Sequence, residues 1–308
     1  MKHAARKINA SKNNKIKESA SYHMFSGVTN LVFLLFSIST VLPMILTIIV
    51  SFTDERAIMR NGYSFFPEKW STMAYQLVMD QDWVFRAYGV TIFVTVAGTF
   101  LCVVFSSLCA YAIAQPTLKY RNVLALFLFI PVVFNAGVVP WYLIVTRTLH
   151  LKNTIFALIF PIIVQPFWVF LLRNYFKTIP PALTEAAEID GADKVYTFFK
   201  IVLPISKPIV ATVALFAALM YWNDYVTALW LVDKQELWPL QYMLYKINSL
   251  ITFLTKGGAA SLGGINTVVP NESFIMVVFV VAMGPIVLVY PFVQKYFVKG
   301  IVVGAVKG

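Results

Sequence analysis

The chain has 308 residues, of which 59% are hydrophobic and 13% charged, with a formal net charge of +11 and a mean hydropathy of +0.74. A water-soluble domain carries about a quarter charged residues. The composition therefore excludes a soluble globular protein and points to an all-α protein of the bilayer. Cys102 and Cys109 lie on one helix face within one apolar run, where they cannot pair with each other and read as small core residues. His3, His23 and His150 are scattered, with no metal-ligand spacing.

In chain order, residues 1–28 are basic and polar and read as a cytoplasmic tail. The apolar run that follows is long enough to span and lacks a small-residue cleavage site, so it is expected to be a first span rather than a removed signal. Crossing about 30 Å of hydrocarbon takes roughly 20 mostly apolar residues. Six stretches meet that length: Asn30–Val50, Tyr88–Ala114, Arg121–Thr146, Asn153–Phe176, Ile205–Val232 and Ser273–Val298. They define a six-helix membrane domain over residues 29–308, with long outer connections at 51–87 and 233–272 and a long inner one at 177–204.

Placing the N-terminus inside puts 16 of the 25 Lys and Arg residues on inner segments, but only 5 of the 14 Asp and Glu. The whole of the +11 then faces the cytoplasm, together with both termini, as the positive-inside bias predicts. The charge is explained by membrane topology and calls for no nucleic-acid partner. Gly257-Gly258 and Gly263-Gly264 in the second outer connection favour turns.

The inner connection carries more pattern than a linker needs. Pro180-Pro181 can open a helix, Glu185 and Glu188 follow, and Gly191 fits just past its end. Asp193 can cap a second helix in which Val195, Phe198, Phe199 and Val202 recur at helical spacing. Pro204 and Pro208 end that helix before the fifth span. On periodicity alone this is equally an amphipathic elbow lying on the membrane.

Glu185-Ala186-Ala187, then Gly191, then Ile201, Leu203 and Pro204, resembles the "EAA" loop of binding-protein-dependent ABC importer permeases at all seven fixed positions. At average residue frequencies such a coincidence is on the order of 10⁻⁸ per start position. The resemblance implies a type I importer permease fold and a coupling helix that docks in a cleft of a nucleotide-binding subunit. Glu185 would be its polar anchor, Ala186 and Ala187 would permit close approach, and Gly191 would permit the turn.

Phe65-Phe66-Pro67, Tyr75, Tyr111-Ala112-Ile113-Ala114 and Leu149-His150-Leu151-Lys152-Asn153-Thr154 look like the sugar-importing branch, similar to the smaller maltose-type permease. The ending Gln294–Gly300 and Gly304–Gly308 looks like the oligosaccharide and polysaccharide-fragment permeases of Gram-positive bacteria. The partners implied are a second, homologous permease subunit, a dimeric ATPase, an external solute-binding lipoprotein and an oligosaccharide. No G-x-x-x-x-G-K-[ST] occurs, so ATP and Mg belong to the ATPase partner, and this chain, in the plasma membrane, does no covalent chemistry.

Within the spans, Asp224 is the one carboxylate, flanked by Trp222 and Asn223. An ionisable group in a membrane defaults to function, so these three are candidates for the substrate pathway; the competing reading is a hydrogen bond made for packing. Asn135 and Gln165 lie among the prolines of the third and fourth spans, and broken helices often line transport cavities. An ion-coupled secondary transporter would leave the seven-position match unexplained, and a membrane enzyme would show clustered His, Asp or Cys. Peptide or amino-acid import stays open, because the inner loop is shared across importers.

Overall fold

A backbone in hydrocarbon must satisfy its own N–H and C=O groups, which leaves helices as the viable element for a chain this apolar. The computed structural model describes residues 20–253 and 272–287, whose regular elements are all helices apart from one isolated antiparallel bridge between Thr53 and Trp70. Most of the basic tail, both Gly-Gly pairs of the second outer connection and the ending from residue 294 lie outside the described residues.

Helix α1 (Ala20–Ser51) is exposed over most of its length, with Val50 and Ser51 buried at its end. Four of its hydroxyls are satisfied within the helix, Ser37, Ser39, Thr40 and Thr47 donating to carbonyls one turn back at 2.7–2.9 Å. The expected outer connection after it is an ordered cap rather than a loop. It contains α2 (Glu55–Asn61) and α3 (Met73–Met79), and the Tyr75 ring stacks on Phe52 at 4.5 Å.

Helix α4 (Asp82–Ala114) is the axis of the molecule. Ala87, Thr91, Val94, Gly98, Cys102, Ser106, Ala110 and Ile113 recur at three- and four-residue steps and form its buried seam. Small residues at such a seam let helices approach closely where no hydrophobic effect drives them together. Gly98 shows how closely: a Cβ there would sit 2.6–2.8 Å from the Tyr221 ring carbons.

The third and fourth expected spans are bent, and a further bend leads into the fifth. Helix α5 (Arg121–Val133) and helix α6 (Val138–Thr148) meet at 117°. Between them Gly137 takes φ +82, and its amide donates to Asn135 Oδ1 at 2.8 Å. Two 3₁₀ turns over Ile155–Ile162 meet α7 (Pro166–Phe176) at 51°, with Pro161 and Pro166 at the joint. Helix α8 (Pro181–Ile189) is followed by α9 (Lys194–Ile205), which meets α10 (Lys207–Asn223) at 84°.

Helix α11 (Val226–Leu231) continues from α10 after a break at Asp224-Tyr225. Helix α12 (Leu240–Phe253) and the apolar α13 (Glu272–Val287) complete the described chain. Where six continuous spans were expected, two described helices are long and apolar enough to cross unbroken, or up to five crossings if each bent pair counts as one. Proline stands at or within a few residues of each bend, where it removes a backbone donor and crowds the preceding turn, while the reversal between α5 and α6 is made by Gly137 itself.

One large apolar core joins α4, α7, α9, α10 and α11, and a smaller one joins α3, the start of α4, α12 and α13. Long-range polar ties hold the cap. Glu55 accepts from the amides of Glu272 and Ser273 and from the Ser273 hydroxyl, capping α13, while Tyr63 donates to Glu272 at 2.6 Å. Elsewhere, Asn153 Oδ1 accepts from the Asp233 amide at 2.6 Å, and Lys152 pairs with Asp233 at 3.0 Å. The Asp233 carboxyl is held below its ordinary range by Lys152 and then Asn153.

Candidate functional site: the segment between the fourth and fifth expected spans

Pro180 holds an extended ψ of 127° and Pro181 occupies the first helical turn, so α8 starts where a missing backbone donor costs nothing. Its end is equally explicit. The amides of Asp190, Gly191 and Ala192 donate to the carbonyls of Ala186, Glu188 and Ala187 at 2.9–3.1 Å. Gly191 has φ +83, the left-handed conformation that other residues adopt only with strain. Space around Gly191 is open, so backbone conformation selects glycine there.

Asp193 then accepts from the Tyr196 amide at 2.6 Å and starts α9, as its capping position predicts. Lys194 reaches back to Glu188 at 2.8 Å, an exposed pair of modest energetic weight. The glycine turn, the Asp193 cap and this pair together join the two short helices into one elbow. Glu185 and Ala186 lie on its exposed side, Ala187 is buried, Ile201 and Leu203 are half-buried, and Pro204 is exposed.

Helical spacing treated Val195, Phe198, Phe199 and Val202 as one apolar face, and the structure divides them. Phe198 and Val202 are each 2% exposed, whereas Val195 is 62% and Phe199 47% exposed. Phe198–Val202 forms a π turn, whose extra residue per turn changes which side chains share a face. The Phe198 ring lies 5.0 Å from Tyr111 on α4 and 6.4 Å from Phe176 on α7, and the latter two rings are 6.5 Å apart. This three-ring knot ties the elbow to the ends of two long helices.

The other side of the elbow carries an exposed apolar set, with Leu183, Ile189, Val195, Tyr196 and Phe199 among it; Ile189 is 86% exposed. Between the two helices lies a hollow of about 590 Å³ lined by Ala187, Asp190, Gly191, Ala192, Asp193, Tyr196 and Ile201. Sequence reasoning missed this surface. Its signal was an excess of apolar residues over what one buried helix face can use.

The residues expected along a substrate pathway occupy three separate places. Trp222 Nε1 donates to Ala282 O at 3.3 Å and borders an apolar cavity of about 220 Å³ between α4, α10 and α13. Asn223 donates to Leu219 O at 2.8 Å, and Asp224 Oδ1 accepts from the Thr227 amide at 3.1 Å at the start of α11. Asn135 sits in the α5–α6 break, and Gln165 precedes α7 and donates to Ile162 O at 3.4 Å. Among the described residues no hydrogen bond joins these three places. Tyr221, beside them, was not singled out, yet its hydroxyl donates to the Ile159 carbonyl freed between the two 3₁₀ turns, at 3.0 Å.

The described residues contain no group of three or more His, Cys, Asp or Glu able to hold a metal ion. The profile described as "Binding-protein-dependent transport system inner membrane component" matches residues 119–303, which include the whole elbow. The chain is 37% identical to Protein LplC of Bacillus subtilis (strain 168) over 269 residues, 87% of this chain and 90% of that one. It is also 37% identical to the polygalacturonan/rhamnogalacturonan transport system permease protein YtcP of the same organism over 275 residues, covering 89% and 95%. A crystal structure of a bacterial ABC transporter involved in the import of the acidic polysaccharide alginate contains a chain that matches with TM-score 0.79 and 30% identity, over 91% of this chain and 99% of that chain.

Proposed function

The chain belongs to the family of inner-membrane components of binding-protein-dependent transport systems, and from that premise we propose that it imports oligosaccharides, complex-glycan or polysaccharide fragments, with α8 as the point where a partner's ATP cycle enters. As a member of that family it is a non-catalytic permease subunit of an ABC transporter in the plasma membrane. The observation that carries the coupling assignment is the clasped elbow itself, with Glu185 exposed on one side and Phe198 locked into the membrane helices on the other. A rigid body fixed at one face and free at the other converts movement of a docked partner into movement of the attached helices.

In this reading Glu185, Ala186, Ala187, Gly191, Ile201, Leu203 and Pro204 form or position the docking surface. The topology is six crossings with both termini and the elbow in the cytoplasm, two of the crossings being bent and a third bend joining the elbow to the fifth. A second, homologous permease completes the pathway, an external solute-binding protein delivers the sugar, and a dimeric ATPase holds ATP and Mg. The names of the relatives, which include arabinooligosaccharide and melibiose/raffinose/stachyose permeases, support an oligosaccharide as substrate. Asn135, Gln165 and Trp222–Asp224 are proposed pathway residues on the strength of their polar groups beside helix breaks.

Two measurements test this. Affinity capture of the detergent-solubilised chain should retain the ATPase, and Glu185→Ala should weaken that retention; equal retention by the variant refutes the docking role. The solute-binding protein encoded beside this chain should gain thermal stability with an oligosaccharide. A gain with a peptide or amino acid instead refutes the substrate class and leaves the coupling assignment standing.

A further inference from the structure

Beneath α8 lies a cleft of about 510 Å³ that shares Glu185 with the docking role and has no other role above. Its walls are the end of α4, the start of α5, the end of α7 and α8 itself. The charged groups facing it are Arg121, Lys177, Lys194, Glu185 and Glu188, with Ala114, Phe176, Ile179 and Val202 forming an apolar floor. Glu188 is taken by Lys194 at 2.8 Å. That leaves two cations against the single carboxylate of Glu185, and neither Arg121 nor Lys177 makes an ion pair among the described residues.

A third cation stands behind them. Arg173 is half-buried, and its Nε donates to the Ile113 carbonyl at 3.3 Å, which leaves its charge uncompensated. Desolvation and then the charges of Arg173 and Arg121 lower the Lys177 amine from its ordinary value, the direction expected where a cation lacks its counter-ion. The cleft sits where three apolar helices begin or end, beside an exposed Tyr120 with Lys119 Nζ 5.5 Å from its ring centroid; tyrosine is enriched at headgroup level and basic residues just beyond the ends of spans.

We propose that this cleft binds the headgroup phosphate of an anionic phospholipid, with Arg121 and Lys177 as its charge partners and the acyl chains lying along the apolar helix ends. A lipid seated there touches Thr184, Glu185 and Glu188 of α8 from behind. Membrane charge thereby acts on the same elbow that receives the ATPase. The topology proposed above decides only which leaflet supplies the lipid, and the measurement below reads retention without regard to leaflet.

The test is native mass spectrometry of the assembled importer released from nanodiscs of phosphatidylcholine, with and without phosphatidylglycerol. Retention of phosphatidylglycerol over phosphatidylcholine is expected. Each interfacial cation contributes about fivefold to anionic-lipid affinity, so Arg121→Gln/Lys177→Gln should weaken retention on the order of tenfold or more. Lys177→Gln alone should lose about fivefold, and it serves if the double variant fails to assemble. Arg121→Lys/Lys177→Arg and Lys119→Gln, the latter outside the cleft, should retain the preference.

Equal retention of the two lipids by the native importer overturns the proposal, as does a loss in Lys119→Gln equal to that in the cleft variants. Millimolar glycerol 3-phosphate distinguishes the source of the phosphate. If it stabilises the importer through Arg121 and Lys177 while phosphatidylglycerol is not retained, the lipid assignment is wrong.

Discussion

Phe198 and Phe199 are adjacent in sequence and differ sharply in burial, which makes a controlled pair. Phe198→Ala removes a fully buried ring from the Tyr111–Phe176 knot. Buried Phe→Ala changes cost about 3–5 kcal/mol, a figure that combines lost transfer energy with the cavity left behind. Phe199 is half-exposed, and its main described contact is an edge-to-face approach to Phe198 at 4.9 Å, so Phe199→Ala should cost only about 1 kcal/mol. Function should separate in the opposite sense. Phe198→Ala still presents the outer face of the elbow but loosens its attachment to α4 and α7, so ATP hydrolysis persists while transport per ATP falls. Phe199→Ala leaves the attachment intact and weakens capture of the ATPase. The assays are thermal melting of the purified permease, and ATPase rate and uptake rate measured on the same proteoliposomes. Equal melting losses, or a fall in ATPase and uptake by the same factor in Phe198→Ala, would refute the division of the elbow into an anchored and a docking face.

Two further outcomes follow from contacts elsewhere. Gly98→Ala places a Cβ within 2.6–2.8 Å of a ring pinned by its hydroxyl to Ile159. A cost of about 1–3 kcal/mol is expected from the overpacking, and less than additive loss with Tyr221→Phe, which frees the ring to tilt; strict additivity by thermal melting would contradict this. At the cap, burial and then the Glu272 carboxylate push the Tyr63 hydroxyl up to about 12 from the ordinary 10. The protonated phenol is the form favoured on folding, so its stabilisation is complete below pH 10 and is lost as pH rises towards 12. Hydrogen exchange at the start of α13 should rise across that window, and Tyr63→Phe should remove the dependence; an unchanged profile in the variant refutes it.

Residue pattern made much of the elbow legible in advance. Pro180-Pro181, Gly191 and Asp193 each act through local backbone chemistry, and each occupies the predicted position in α8 and α9. Hydropathy located the apolar stretches, because lipid demands continuous apolar length. It could not show that two of them bend and that a third bend joins α9 to α10, since hydropathy sums composition and is blind to the direction of the chain. Pro131, Asn135, Gly137 and Pro140 signalled a kink, while a 117° reversal depends on Gly137 taking a positive φ stabilised by Asn135. The division between Phe198 and Phe199 was hidden for a related reason, because a π turn shifts register without any change in composition. The outer connection 51–87 read as loop although Asp54, Glu55 and Gly62 mark a short helix locally; its fixing into a cap depends on long-range partners such as Glu55 with Ser273, which sequence pattern does not record.

The central claim is that α8 conveys a partner's ATP cycle into sugar movement through this chain. The most direct measurement is uptake of a labelled oligosaccharide by proteoliposomes containing this permease, its partner permease, the ATPase and the binding protein, with ATP on the ATPase side. Uptake should require ATP and fall steeply in Glu185→Ala while the variant still assembles with its partner permease. Uptake driven by an ion gradient without ATP, or unchanged in Glu185→Ala, would contradict the account.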